Sequence, residues 1–138
     1  VKKILLPLEK TSEEVEVIKE AVELAKKFES TITIFPVDNS KVILNEFQYN
    51  PQEYEKILKN RLIDNEKMIK SYEELGLKIQ VKETAGDQPV EIIEEAKKGD
   101  YDLIIIRTHG MKATKRFMLG SVTDKVVHHV SIPILVVR

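Results

Sequence analysis

The sequence predicts an α/β domain in three layers, with helices on both faces of a doubly wound, five-stranded parallel sheet. Three observations carry that prediction. Short apolar runs alternate with longer segments whose apolar residues recur every three or four positions, the periods of buried strand and amphipathic helix. The resulting order is βαβαβαβαβ, and crossovers of that length join parallel strands through right-handed connections. The run Leu103-Ile104-Ile105-Ile106 lacks polar alternation, as a central strand covered on both faces should.

Each element has a local reason. Lys2 to Leu8 is an apolar run that ends near Pro7 and reads as the first strand. Thr11 and Glu14 stand at capping-box spacing ahead of a helix striped by Val15, Ile18, Ala21, Val22, Ala25 and Phe28. Thr31 to Phe35 is β-branched and aromatic, a second strand that Pro36 closes. An irregular loop is expected from Asp38 to Asn50, then a helix opening near Pro51, striped by Tyr54, Leu58, Leu62, Ile69 and Tyr72 and capped by Gly76. Leu77, Ile79 and Val81 alternate with polar residues, a third strand near a sheet edge. Val90, Ile93 and Ala96 carry a short helix, with Glu94 and Glu95 read as solvated. The fourth helix follows, striped by Val122, Val126 and Val130, and Ile132 to Val137 is the last strand.

Length and composition narrow the function. The chain has 138 residues, which fits one domain spanning 1–138 at about 150 residues per domain. With no Cys, disulfides, thiolate catalysis and Cys-based zinc sites are excluded. Its 22 basic and 23 acidic residues leave a net charge of −1, which argues against a nucleic-acid partner that would demand a basic excess. No apolar run approaches the ~18 residues of a membrane span. The opening Val1 to Pro7 is too short for a signal peptide, so a cytoplasmic protein without membrane partners is expected. Charged residues make up 33% of the chain, against about 25% on average, a thermophile-like surface.

In such sheets a ligand binds beyond the carboxyl ends of the strands, where the strand order reverses. For the common order 3-2-1-4-5, that point lies between the first and fourth strands, facing Leu8 to Ser12 and Arg107 to Ser121. The second loop carries two glycines and a cluster of Arg107, Lys112, Lys115 and Arg116, and its Gly120-Ser121 opens a helix. Helix N–H groups at Gly120-Ser121-Val122 favour an anion, and the Ser121 hydroxyl can donate to a phosphate. The competing reading is a solvated basic loop with Ser121 spent as the helix N-cap.

Gly110, nine residues, and Gly120-Ser121 match most of a nucleotide motif, and the valine-rich helix ending in Ile132-Pro133-Ile134-Leu135-Val136-Val137 matches its setting. With Lys3-Ile4-Leu5-Leu6-Pro7, the Gly86 to Ala96 segment and Asp102-Leu103-Ile104-Ile105, the whole chain resembles the universal stress protein family. The resemblance implies the 3-2-1-4-5 order and an adenine nucleotide alpha hydrolase-like fold. It also implies a crevice for ATP or another adenine nucleotide, with Mg accompanying it, in a family where some members bind nucleotide and others do not. By the same resemblance Pro7 and Leu8 form the pocket floor, and Glu9 and Val37 face ribose and base. Thr108, His109, Gly110, Gly120, Ser121 and Val122 line the phosphate side with Arg107 and Arg116. Two positions depart from the pattern. Arg107 replaces the motif's first glycine, either filling ligand space or offering a cation, and Glu9 replaces the usual Asp.

Other chemistry is not supported. The chain lacks Gly-x-x-x-x-Gly-Lys-Ser/Thr, Gly-x-Gly-x-x-Gly after the first strand, and Gly-x-Ser-x-Gly. His128 and His129 are adjacent, so on a helix they point apart and read as surface residues. No nucleophile–base pair is assembled, so at most slow ATP hydrolysis is expected. The final strand falls at a sheet edge without a charge until Arg138. Such an edge pairs or is covered, which predicts a homodimer through antiparallel pairing of Ile134 to Val137, as the resemblance also implies. The alternative function is a stress protein that binds no nucleotide and acts through that dimer.

Overall fold

A computed structural model of the chain describes residues 1–8, 15–38, 66–67, 69–108 and 120–137. In chain order the elements are β1 (Lys3–Leu8), α1 (Val15–Phe28), β2 (Thr31–Asp38), β3 (Lys78–Val81), β4 (Thr84–Ala85), α2 (Gln88–Lys98), β5 (Leu103–Arg107), α3 (Ser121–His129) and β6 (Ile134–Val137). Residues 66–67 and 69–73 are also helical. The Thr11–Glu14 capping box, the loop beyond Asp38 and the Pro51 helix start lie outside the described residues.

The strands run parallel in the order β3-β2-β1-β5-β6. This is the 3-2-1-4-5 order that the family resemblance implies, with one addition. β3 pairs with β2 up to Ile34↔Val81, and the two-residue β4 resumes on the same flank at Val37↔Thr84 and Asp38↔Ala85. The edge character of β3 is as expected, with Lys78 and Gln80 exposed and Ile79 and Val81 half-buried.

Alternation along the strands divides the core in two. Ile4, Leu6, Leu8, Ile32, Ile34 and Ile105 pack beneath Val17, Ile18, Ala21 and Ala25 of α1. Leu5, Phe35, Val37, Ile104 and Ile106 pack on the other face against Ile92 and Ala96 of α2 and Val126 of α3. Two helix stripes differ from the sequence reading. In α1, Val17 is fully buried and Phe28 is 52% exposed; the buried face runs through Val17, Ile18, Ala21 and Ala25. In α2 the stripe runs through Pro89, Ile92 and Ala96, which turns Val90 outward.

Helix ends are closed by local chemistry. Leu77 N–H donates to the Tyr72 carbonyl and Gly76 N–H to that of Glu73, with Gly76 at φ +81. This is a Schellman cap at the expected glycine, with Leu77 and Tyr72 in the same apolar cluster. α1 ends similarly through Ser30 N–H to the Ala25 carbonyl, but Glu29 takes the left-handed position at φ +53. The Ser30 hydroxyl then donates to the Val1 carbonyl at 2.6 Å, and the Asp102 carboxylate accepts from the Lys2 and Lys3 N–H groups.

α2 is fastened to the sheet by a chain of polar groups. Gln80 Nε2 donates to Thr33 Oγ1 at 2.9 Å, and Thr33 in turn bonds the Tyr101 oxygen. Tyr101 Oη donates to Glu95 Oε1 at 2.8 Å, and Lys82 Nζ lies 3.0 and 2.9 Å from the two carboxylate oxygens. Glu95, expected on a solvated face, is therefore only 3% exposed. Burial alone would raise its pKa; hydrogen bonds from Lys82 and Tyr101 and the charges of Lys82 and Lys98 outweigh burial and hold it below the ordinary value of 4.5. Burial and the bond to Glu95 push Tyr101 up to about 12. Gly99 makes room for the ring, since a Cβ there would collide with the Tyr101 side chain. Lys3 Nζ sits 5.1 Å from its centroid.

Two outcomes are expected. Glu29→Gly relieves the left-handed strain and stabilises the protein by about 0.5–1 kcal/mol in urea unfolding. Glu95 titrates lower when folded than unfolded, so its contribution is complete above pH 4.5 and is lost as pH falls through the depressed native value. Lys82→Ala removes the main opposing charge. Denaturation across a pH series then shows a loss of about 1 kcal/mol at neutral pH, discounted because Lys82 is half-exposed, and acid destabilisation beginning at higher pH than in the wild type.

Candidate functional site at the mouth between β1 and β5

β1 pairs with β2 along its whole length, from Lys3↔Thr31 to Leu8↔Pro36. With β5 it pairs only at Ile4↔Leu103 and Leu5↔Ile104, although β1 runs on to Leu8 and β5 to Arg107. The sheet therefore splits at the carboxyl ends of these two strands, where the strand order reverses and a ligand crevice is expected.

Backbone polarity at the split follows from the ladder. Ile104 and Thr108 N–H groups donate to Pro133 and Val137 carbonyls on β6. In a parallel strand alternate residues face opposite neighbours, so the Arg107 carbonyl faces the split. On the opposite wall, the Ile34 and Asp38 carbonyls accept from Lys82 and Gly86. Val37 is thus turned toward β1, one step beyond the last register pair of that strand.

The sequence-derived residues fall around this mouth. Leu8 is buried in the cluster beneath α1 and ends the buried run on β1, and Pro7 just before it is buried too. Val37 is buried in the opposite cluster, with its backbone at the mouth. Arg107 closes β5 half-buried, its Nε buried; alternation with Ile105 puts its side chain on the α1 face. Thr108 is buried directly after the strand. Glu9, His109, Gly110 and Arg116, and with them Lys112 and Lys115, lie outside the described residues.

Gly120 is the N-cap of α3, at φ −60 and ψ 154, and Asp124 N–H donates to its carbonyl. Ser121 is therefore the first helical residue and is exposed, which corrects the reading of Ser121 as the cap. The Ser121, Val122 and Thr123 N–H groups have no acceptor within the helix, and the cap residue adds no side chain over them. Asp124, also in the first turn, brings a carboxylate that lies 3.5 Å from His128 Nδ1. His128 and His129 are exposed and donate Nδ1–H to the carbonyls of Asp124 and Lys125. Among the described residues no His, Asp and Glu cluster could hold a metal, and no helix is long and apolar enough to cross a membrane.

Sequence reasoning missed Thr123. It is 1% exposed, and its hydroxyl donates to the Arg107 carbonyl at 3.1 Å. The signal was a hydroxyl residue set within the apolar spacing that leads to Val126 and Val130.

A parallel sheet split beside its central strand, with a helix N-terminus next to the split, defines a doubly wound α/β domain of the adenine nucleotide alpha hydrolase-like fold. The family model of the universal stress proteins matches residues 1–138, and the chain belongs to that family. Universal stress protein MJ0531 of Methanocaldococcus jannaschii is 32% identical over 99% of this chain and 82% of its own length. The solved structure of protein MJ0577, from the same organism, is 30% identical, with a TM-score of 0.67 over 99% of this chain and 94% of that one. The fold is shared further with an Archaeoglobus fulgidus universal stress protein in complex with dAMP. That structure is 16% identical, with a TM-score of 0.64 over 100% of this chain and 98% of its own.

Proposed function

We propose that the chain is a cytoplasmic regulatory module of this family that binds an adenine nucleotide at the mouth between β1 and β5. The split itself carries the reading: it leaves the Val37 backbone at one wall and the first turn of α3 at the other. The outward Val37 backbone suits the edge of an adenine, and Glu9 the ribose. The Ser121 and Val122 amides and the Ser121 hydroxyl suit phosphate oxygens, as Gly110 and Arg116 do by the motif. A relative crystallised with dAMP supports the ligand class. Mg would accompany a bound triphosphate through its phosphates. The reading includes at most slow hydrolysis of bound ATP, since the described residues bring no nucleophile–base pair to the mouth.

A second reading, a module that has given up nucleotide and acts through its dimer, is favoured by Arg107, whose bulk stands where the family pattern has glycine. The domain would then work through β6. Among the described residues that strand pairs only with β5; it carries no charge from Ile134 to Val137, and leaves Leu135 38% exposed. A second copy pairing antiparallel along this edge would cover it.

Two experiments test these readings. Mass spectrometry of material released from purified protein, with calorimetric ATP titration, is expected to show an adenine nucleotide; neither ligand nor heat would leave the second reading. Where binding is found, Arg107→Gly is expected to tighten it at least threefold by opening space, and weakening would instead make the guanidinium a phosphate contact. For the dimer, Pro133 and Val137 carbonyls face β5, so Val136 turns its N–H outward. Val136→Pro removes that outward donor while sparing the β5 ladder. Sedimentation is expected to show a micromolar dimer for the wild type and a monomer for the variant, and a dimeric variant would rule out pairing along this edge.

A further inference from the structure

Thr123 is chemically out of place for a residue that only fills space. Valine has nearly its shape, suits the apolar stripe of Val122, Val126 and Val130, and would bring no polar group to bury. A hydroxyl that is 1% exposed is costly unless bonded. A helical Thr ordinarily returns its hydroxyl to the carbonyl four residues back. This one reaches sixteen residues back to the Arg107 carbonyl, at 3.1 Å. That carbonyl faces the split, where β1 has ceased to pair with β5. The bond therefore gives this strand-end carbonyl a side-chain donor beside the split. It also joins the end of β5 to the first turn of α3, whose Ser121, Val122 and Thr123 amides have no helical acceptor.

We propose that Thr123 is a positioning residue: its hydroxyl clasps the α3 N-terminus to the end of β5, setting the first-turn amides at the distance a bound phosphate requires. This role rests on the nucleotide reading above. A site that grips an anion through backbone N–H groups depends on their placement to a fraction of an ångström. Within the described residues the clasp is a direct side-chain tie between the two elements. It acts on the phosphate end of the ligand and leaves the wall at Val37 untouched.

The test is calorimetric titration of ATP and of adenosine into the wild type, Thr123→Val and Thr123→Ser, with thermal unfolding of each. Thr123→Val is expected to weaken ATP at least fivefold while adenosine changes less than twofold, and Thr123→Ser to restore ATP to within twofold of wild type. Should Thr123→Val not fold, Thr123→Ala removes the same hydroxyl and is read in its place. Equal losses for ATP and adenosine, or ATP binding unaffected by loss of the hydroxyl, overturn the positioning role and leave the nucleotide reading standing. A wild type that takes up no nucleotide overturns both.

Discussion

The molecule depends on β1 having two unlike neighbours. Parallel strands joined by right-handed crossovers place their helices on a face fixed by the direction in which the sheet is built. Building from β1 toward β2 and β3 puts α1 on one face; building from β5 toward β6 puts α3 on the other. β1 is where the direction reverses. It is held to β2 along six register pairs and to β5 along two, so it belongs mechanically to the β2 side. The opening at its carboxyl end is thus a product of topology. What remained for the sequence was to line that opening without filling it.

The face beneath α2, at the β2–β3 flank, shows the opposite treatment. There the chain buries polar groups and satisfies them in series. Gln80, Thr33 and Tyr101 pass donors in one direction toward Glu95, and Lys82 answers the carboxylate from the edge strand. Burial and partnership pull the carboxyl in opposite directions, and partnership prevails. Removing one partner from such a chain costs more than its own bond, because the carboxylate stays behind with fewer donors. The network also accounts for Gly99, the one residue that lets the Tyr101 ring pass close to the backbone where α2 ends. The β2–β3 flank is fixed by a continuous polar chain, and the carboxyl ends of β1 and β5 are left unpaired with each other.

Periodicity made the elements legible, because burying one face of a strand or helix forces apolar residues into that element's own spacing. β5 could be read as central because Ile104, Ile105 and Ile106 allow no wet face, and Gly76 as a helix end because few other residues take φ +81 at little cost. Glu95 was illegible because a Glu beside Glu94 on a helix looks solvated until Lys82 and Tyr101 arrive from distant segments. The α1 stripe slipped for a related reason. Val17 stands beside the face of Ile18, Ala21 and Ala25 on paper, and only contact with the sheet buries it. At the site, the strand order located the mouth, but it could not say which of Gly120 and Ser121 would cap α3. Cap identity depends on where the chain enters the helix.

That entry point matters to the chemistry. A Ser N-cap would turn its own oxygen onto the first-turn N–H groups and occupy the positions an anion needs. Gly120 contributes no side chain, so those amides keep their polarity, and Ser121, one residue on, carries its hydroxyl at the helix surface. The usual gain from a side-chain cap is forgone at this helix. α2, by contrast, takes the full cap from the Asp87 carboxylate to Val90 N–H. Two helices of one domain thus end differently, and the uncapped one lies at the split. A helix stabilised at its start by its own side chain closes its N-terminus to ligands. One joined to the strand end by a hydroxyl a turn deeper, that of Thr123, spends no side chain of its cap residue on those amides.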